Sequence, residues 1–212
     1  MIGLLRIILY SLLGYLSGSI LYAPIWARIL HTKSITDESK DHNPGVANAF
    51  TYGGFTCGSL TLLCELFKGI IPVQLYLIAT GGLRPMDNAL FALVLAAPVI
   101  GHIFPVFNGF RGGKGIAVTF GCLLGILPVY QPVIIMAASF IFFSVIIKVS
   151  PHFYRTAVSY LIALPLIAVF SFKAGIVSVA LGFIIISAAV GYKLFSSPEE
   201  REKVKVSLLW MH

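Results

Sequence analysis

FTCGSLTLLCELFKGIIPVQLYLIAT, residues 55 to 80, is an apolar run that holds only two charges, Glu65 and Lys68. A helix crossing about 30 Å of hydrocarbon needs about 20 mostly apolar residues, so this stretch reads as a membrane span. Its glycines and proline do not argue otherwise, because both residue types are tolerated inside membrane helices. On either side of it, further apolar runs fall at about 3 to 30, 87 to 107, 115 to 129, 131 to 149, 155 to 172 and 174 to 195. Together they predict an all-α, polytopic transmembrane bundle of about seven spans. It forms one membrane domain over residues 1 to 212, with 196 to 212 as a short tail.

The whole composition agrees. Of 212 residues, 58% are hydrophobic and 11% charged, and the mean hydropathy is +0.94. That excludes a water-soluble domain. The first run opens like a signal peptide but is too long and lacks a small-residue cleavage site, so it reads as a retained span. The net charge of +7 is spread singly between apolar runs, not clustered with aromatics, so no nucleic-acid partner is expected.

The basic residues instead report orientation. With the N-terminus outside, the inner loops and tail hold Arg28, Lys33, Lys40, Arg111, Lys114, Lys148, Arg155, Lys193, Arg201, Lys203 and Lys205. The outer side holds only Arg6, Arg84 and Lys173. Cytoplasmic loops carry the excess of lysine and arginine, so the expected arrangement is N-terminus out and C-terminus cytoplasmic. The tail SPEEREKVKVSLLWMH, with Trp210 near its end, reads either as a short helix on the membrane surface or as a frayed, solvated end.

In such a chain the short loops must carry the chemistry. GHIFPVFNGFRGGKGIAV, residues 101 to 118, contains Gly101, Gly109, Gly112, Gly113 and Gly115 with Arg111 and Lys114. Glycines let backbone N–H groups approach an anion, the next helix begins near Gly115 with its positive dipole end, and Lys114 adds a mobile charge. These are the parts of a phosphate cradle; an ordinary loop that only enforces topology is the alternative. It is not a Walker loop, which would need glycine at Asn108 and Ser or Thr at Gly115. The loop DHNPGVANAFTYGG, residues 41 to 54, opens on the same side, and its Asn43 and Asn48 either donate to an oxyanion or simply make turns.

Glu65 and Lys68 share a helix face at a spacing of three. A lone charge there costs about 2.5 to 3.5 kcal/mol to insert, so the two form either the polar floor of a site or a structural pair. His102 is a candidate acid or base because it adjoins the glycine loop; a hydrogen-bonded structural histidine is the alternative. Ser19, among Gly14, Ser17 and Gly18, has the small-residue context of close helix packing. Cys57, Cys64 and Cys122 form no CxxC pair, and His31, His42, His152 and His212 lack metal-ligand spacing, so neither a metal nor a cofactor is expected.

YLSGSI at 15 to 20, NPGVAN at 43 to 48, ELFKG at 65 to 69 and the long glycine segment are collinear motifs. In them the chain resembles the bacterial membrane-integral glycerol-3-phosphate acyltransferases that use acyl phosphate as donor. The resemblance implies an enzyme of phospholipid synthesis in a bacterial inner membrane. It would transfer a fatty acyl group from acyl phosphate to the 1-hydroxyl of glycerol 3-phosphate, giving lysophosphatidic acid. It implies catalytic roles for His102, Lys114, Asn43 and Lys68, and substrate binding by Ser19, Asn48, Arg111, Gly112, Gly113 and Gly115. Membrane lipids would surround it.

Three features depart from the family pattern. Asp41 and Thr51 stand where the family has Ser and Arg, and residues 191 to 205 contain neither the His nor the Asn of its C-terminal motif. An impaired paralogue that binds or senses a phosphorylated lipid precursor, or a small transporter built around Glu65 and Lys68, are the competing readings.

Overall fold

A computed structural model describes residues 2–39, 41–82, 86, 88–196 and 203–208. Its helices are α1 Ile2–Gly18, α2 Tyr22–Ile29, α3 Ile35–Glu38, α4 Val46–Thr80, α5 Phe91–Ile103, α6 Ile116–Leu124, α7 Gln131–Ile141, α8 His152–Lys173 and α9 Val177–Ser196. Two strands, β1 Ile147–Ser150 and β2 Lys205–Leu208, complete the described elements.

Four of these helical segments, α4, α5 extended to Asn108, α8 and α9, are long and apolar enough to cross a membrane. The bent pair α1 and α2 makes a fifth if counted as one span. Large apolar side chains such as Leu5, Ile8, Leu161, Leu166 and Phe172 lie on the outside of the bundle, where lipid rather than water would be their natural solvent.

The centre of the bundle is α5. In its span 67% of the residues are buried, against 33% for α8, and Phe91, Val94, Leu95, Val99 and Ile103 are fully enclosed. Helices pack closely in membranes through small residues, and two such contacts hold the site. Gly18 on α1 lies so near Pro98 that an added Cβ would overlap the Pro98 carbonyl, and Gly101 on α5 faces Tyr15 of α1 in the same way. On the other side, a Cβ on Gly69 of α4 would lie 2.7 Å from the Val118 carbonyl oxygen of α6. Some inner polar groups pair with one another: the Tyr160 hydroxyl donates to Thr119 Oγ1 at 2.9 Å, and Thr119 donates to the Gly115 carbonyl at 2.9 Å.

The structure corrects several expectations. The run at 3 to 30 is not one straight span: α1 and α2 meet at 41° across Ser19 to Leu21. Helix α4 is longer than residues 55 to 80 because a second helix precedes it, joined at Gly54, whose φ of 81° is open to glycine. The runs at 115 to 129 and 131 to 149 yield α6 and α7, of 9 and 11 residues, shorter than the about 20 that a full crossing takes.

The fold is also not wholly α-helical. Ile147–Ser150 pairs antiparallel with Lys205–Leu208, Lys148 opposite Ser207. Two β-branched residues, Ile147 and Val149, and the bias of a residue preceding proline toward extended backbone explain why the helix does not continue to Pro151. The described part of the tail is therefore a strand, neither a surface helix nor a frayed end. Lys40, Arg84, Arg201, Trp210 and His212, used in the sequence reading, lie outside the described residues.

Candidate active site

Where α1 breaks, its chain end must find partners for carbonyls that no helix serves. Lys68 Nζ, arriving from α4, donates to the Ile20 carbonyl at 2.7 Å. The same nitrogen is 2.9 Å from Glu65 Oε2 and 2.9 Å from His102 Nδ1 on α5. His102 Nδ1 is in turn 3.0 Å from Glu65 Oε2. Three ionisable side chains thus close a triangle in which Glu65 and Lys68 are each 1% exposed. The approaches to Oε2 are ion pairs by distance, off the direction of a good hydrogen bond, and Oε1 is buried without a hydrogen-bond partner among the described residues.

Such a triangle aims the other face of the imidazole. A Cβ placed on Gly113 would overlap His102 Nε2 and would lie 3.0 Å from Asn43 Oδ1, so the two polar atoms converge on this glycine. If His102 carries its proton on Nδ1, toward Glu65, Nε2 presents a lone pair to the loop; with Lys68 donating to Nδ1, Nε2 presents N–H instead. The loop is pinned to the same residue, since Gly113 N–H donates to the His102 carbonyl at 3.1 Å. Gly112 has no room for a side chain, because its Cβ would overlap that carbonyl. Gly115, with φ of 79°, caps α6 in a left-handed conformation. These glycines are therefore required by close approach as well as by any ligand.

Lys114 lies next along the loop, and its Nζ is 3.1 Å from Asp41 Oδ2. Asp41 Oδ1 accepts from Asn48 Nδ2 at 2.8 Å and from the Asn43 backbone N–H at 3.3 Å. Asn48 Nδ2 also donates to the Asn43 carbonyl at 2.8 Å. The Asn43 Oδ1 atom is buried without a hydrogen-bond partner among the described residues, an unmet acceptor that normally costs free energy. The assignment of its oxygen and nitrogen follows from the network around it.

The structure thus gathers His102 and Lys68 in a floor with Glu65, and Lys114, Asn43 and Asn48 in a mouth with Asp41. Gly112, Gly113 and Gly115 lie between. Two candidates stand apart. Arg111 is exposed. The Ser19 hydroxyl is engaged with the backbone, donating to the Tyr15 carbonyl at 2.8 Å and accepting from Val106 N–H at 3.4 Å. Ser19 also borders a groove of about 460 Å³ lined by Ile20, Pro24, Ile25, Arg28, Phe107 and Asn108. Thr51 is turned back onto its own helix, donating to the Ala47 carbonyl at 3.0 Å.

Sequence reasoning did not single out two neighbours of the mouth. Lys193 of α9 lies where the charges of Lys114 and Asp41 act on it, and His152 at the start of α8 feels Arg155, Lys114 and Asp41. The signal available was topological: Lys193 ends an apolar run on the same side as the glycine loop.

A family model described as glycerol-3-phosphate acyltransferase matches residues 8–196. The glycerol-3-phosphate acyltransferase of Albidiferax ferrireducens is 42% identical over 120 residues, 56% of this chain and 52% of the relative. That of Pseudomonas aeruginosa is 38% identical over 132 residues, 62% of this chain and 65% of the relative. The chain therefore spans about half to two thirds of the length of these curated relatives. Among solved structures, the glycerol 3-phosphate form of PlsY (YgiH), an integral membrane glycerol 3-phosphate acyltransferase, aligns with a TM-score of 0.71 and 25% identity. That alignment covers 88% of this chain and 87% of PlsY. The lysophosphatidic acid form aligns with a TM-score of 0.68.

Proposed function

Because this chain belongs to the glycerol-3-phosphate acyltransferase family, we propose that it transfers a fatty acyl group from acyl phosphate to the 1-hydroxyl of glycerol 3-phosphate. The products are lysophosphatidic acid and phosphate. The observation that carries this reading is the convergence of His102 Nε2 and Asn43 Oδ1 on Gly113, one residue from the buried Lys114.

In this mechanism the acceptor's phosphate sits against Lys114, Asn48 and the backbone of Gly112 to Gly115, with Arg111 at the rim. That places its hydroxyl inward, toward His102. Nε2 acts as the base in the imidazole tautomer protonated at Nδ1. In that tautomer Nδ1–H turns to Glu65, and Lys68 directs its N–H groups to Glu65 and the Ile20 carbonyl instead. Nε2 then takes the hydroxyl proton as the oxygen attacks the acyl carbonyl. The carbon–oxygen bond to phosphate then breaks, and the departing phosphate recovers the proton from Nε2. Asn43 orients the hydroxyl, and Lys68 balances Glu65 while holding the end of α1. An acyl phosphate brings its own good leaving group, so positioning and charge stabilisation suffice, with no acyl-enzyme. The chemistry calls for neither metal nor cofactor. The groove beside Ser19, lined by Ile20, Ile25 and Phe107 together with Arg28 and Asn108, is where this reading places the acyl chain.

The same reading places the protein in a bacterial inner membrane as one domain. It would cross the membrane about seven times, N-terminus outside and C-terminus cytoplasmic, a reading supported by the excess of Lys and Arg on the loop side. A second reading, phosphate binding without turnover, draws on the Asp41–Lys114 pair at 3.1 Å and on the absence of His and Asn between 191 and 205.

Membranes containing the protein, incubated with acyl phosphate and labelled glycerol 3-phosphate, distinguish the two. The expected result is labelled lysolipid that vanishes in Lys114→Ala. Label no higher than in that control overturns the enzymatic reading.

A further inference from the structure

We infer that the Asp41 carboxylate is a built-in occupant of the phosphate subsite, so that a phosphate-bearing acceptor binds by displacing it. The inference rests on the phosphate site proposed above.

Two of the groups offered to that phosphate, Lys114 and Asn48, are already engaged by this one side chain, which also holds the Asn43 backbone N–H. Asp41 Oδ2 takes Lys114 Nζ at 3.1 Å, while Oδ1 takes Asn48 Nδ2 at 2.8 Å and the Asn43 backbone N–H at 3.3 Å. Lys114 is only 7% exposed, so water is a poor substitute for an anionic partner there. A carboxylate and a phosphate cannot share this lysine at hydrogen-bond distance without strong repulsion. One must leave when the other arrives.

Asp41 is placed to leave. It lies outside any helix, between α3 and α4, and the next residue, His42, adopts φ of 47° in a turn. Lys114, by contrast, is anchored by a loop whose glycines abut α5. Lys193 nearby, whose charge interacts with both Lys114 and Asp41, keeps the subsite positive once the carboxylate has moved. Asp41 is thereby the residue that sets acceptor affinity: it holds the cradle in shape when empty and competes with the ligand it is shaped for.

Asp41→Asn removes the charge while retaining an oxygen for Asn48 and Asn43, so the loop keeps its internal bonds. Isothermal titration of the full-length protein in detergent, first with inorganic phosphate and then with glycerol 3-phosphate, reads the effect. Losing a competing charge-assisted bond predicts binding at least about tenfold tighter in Asp41→Asn. That gain disappears in Asp41→Asn/Lys114→Gln. Phosphate affinity equal to or weaker than wild type, in a variant that melts at the wild-type temperature, overturns the inference. Asp41→Ser serves if Asn perturbs folding, with the same two outcomes.

Failure of the acyltransferase reading is separable. Tighter phosphate binding with no labelled lysolipid from either protein sustains the inference and sinks the enzyme. Turnover by both proteins at one KM for glycerol 3-phosphate does the reverse.

Discussion

The floor and the mouth of the site each contain a lysine–carboxylate pair, at 2.9 Å for Lys68 and Glu65 and at 3.1 Å for Lys114 and Asp41. Distance makes them look alike, but their scaffolds differ. Lys68 and Glu65 share α4 and are sealed against α1 and α5, each 1% exposed. Asp41 stands on a loop at 12% exposure. A pair locked between helices can orient a neighbour, here His102, but cannot exchange partners. A pair with one member on a loop can. The floor is thus suited to holding a reactive geometry and the mouth to admitting an anion.

The largest effect should come from breaking the floor. Lys68→Ala leaves Glu65 buried without its cation, and removing one partner of a buried pair costs about 3 to 5 kcal/mol. Thermal melting in detergent should drop steeply, and Glu65→Gln/Lys68→Met should recover much of the loss. A melting temperature near wild type in Lys68→Ala would erase the difference between floor and mouth.

Next comes the point where the two regions touch. Gly113→Ala puts a methyl group against His102 Nε2, separating base from acceptor; proton transfer to a positioned group is worth about 10² to 10⁴ in rate. The expected result is a fall in kcat of about a hundredfold or more, with a lower melting temperature as well, because buried His102 must shift to admit the methyl group. Activity within twofold of wild type would remove His102 from the chemistry.

The smallest effect belongs to the rim. Lys193→Gln should raise KM for glycerol 3-phosphate by a fewfold and leave kcat alone, because exposed or partly exposed charges contribute about 0.2 to 1 kcal/mol. The change should shrink as salt is added. A salt-independent loss of kcat would instead place Lys193 in the reaction.

Much of this architecture could be anticipated from composition, and the exceptions have physical causes. The apolar runs at 55 to 80, 87 to 107, 155 to 172 and 174 to 195 correspond to α4, α5, α8 and α9, because span length is a property of local hydropathy. The break at Ser19 to Leu21 is different. No charge marks it, Gly18 and Pro24 on either side are residue types tolerated inside membrane helices, and its free carbonyl is satisfied by Lys68, 48 positions away in sequence. The strand at 147 to 150 was hidden inside an apolar run because hydropathy does not distinguish extended from helical backbone.

In the site, the glycine loop was visible as composition, and Glu65 with Lys68 as helical spacing. That His102 completes their triangle was not, since it depends on how α4 and α5 pack. Asp41 was readable only as a charge in the wrong place. Its bond to Asn48 is local, but its bond to Lys114 spans 73 positions, which no local pattern records.

If the floor holds the reacting base and the mouth the phosphate, steady-state kinetics should separate the two. Initial rates of lysolipid formation from acyl phosphate and varied glycerol 3-phosphate would be compared for wild type, His102→Gln and Lys114→Gln. His102→Gln should lower kcat with KM nearly unchanged, while Lys114→Gln should mainly raise KM. Full kcat in His102→Gln, or the same parameter moved by both substitutions, would contradict it.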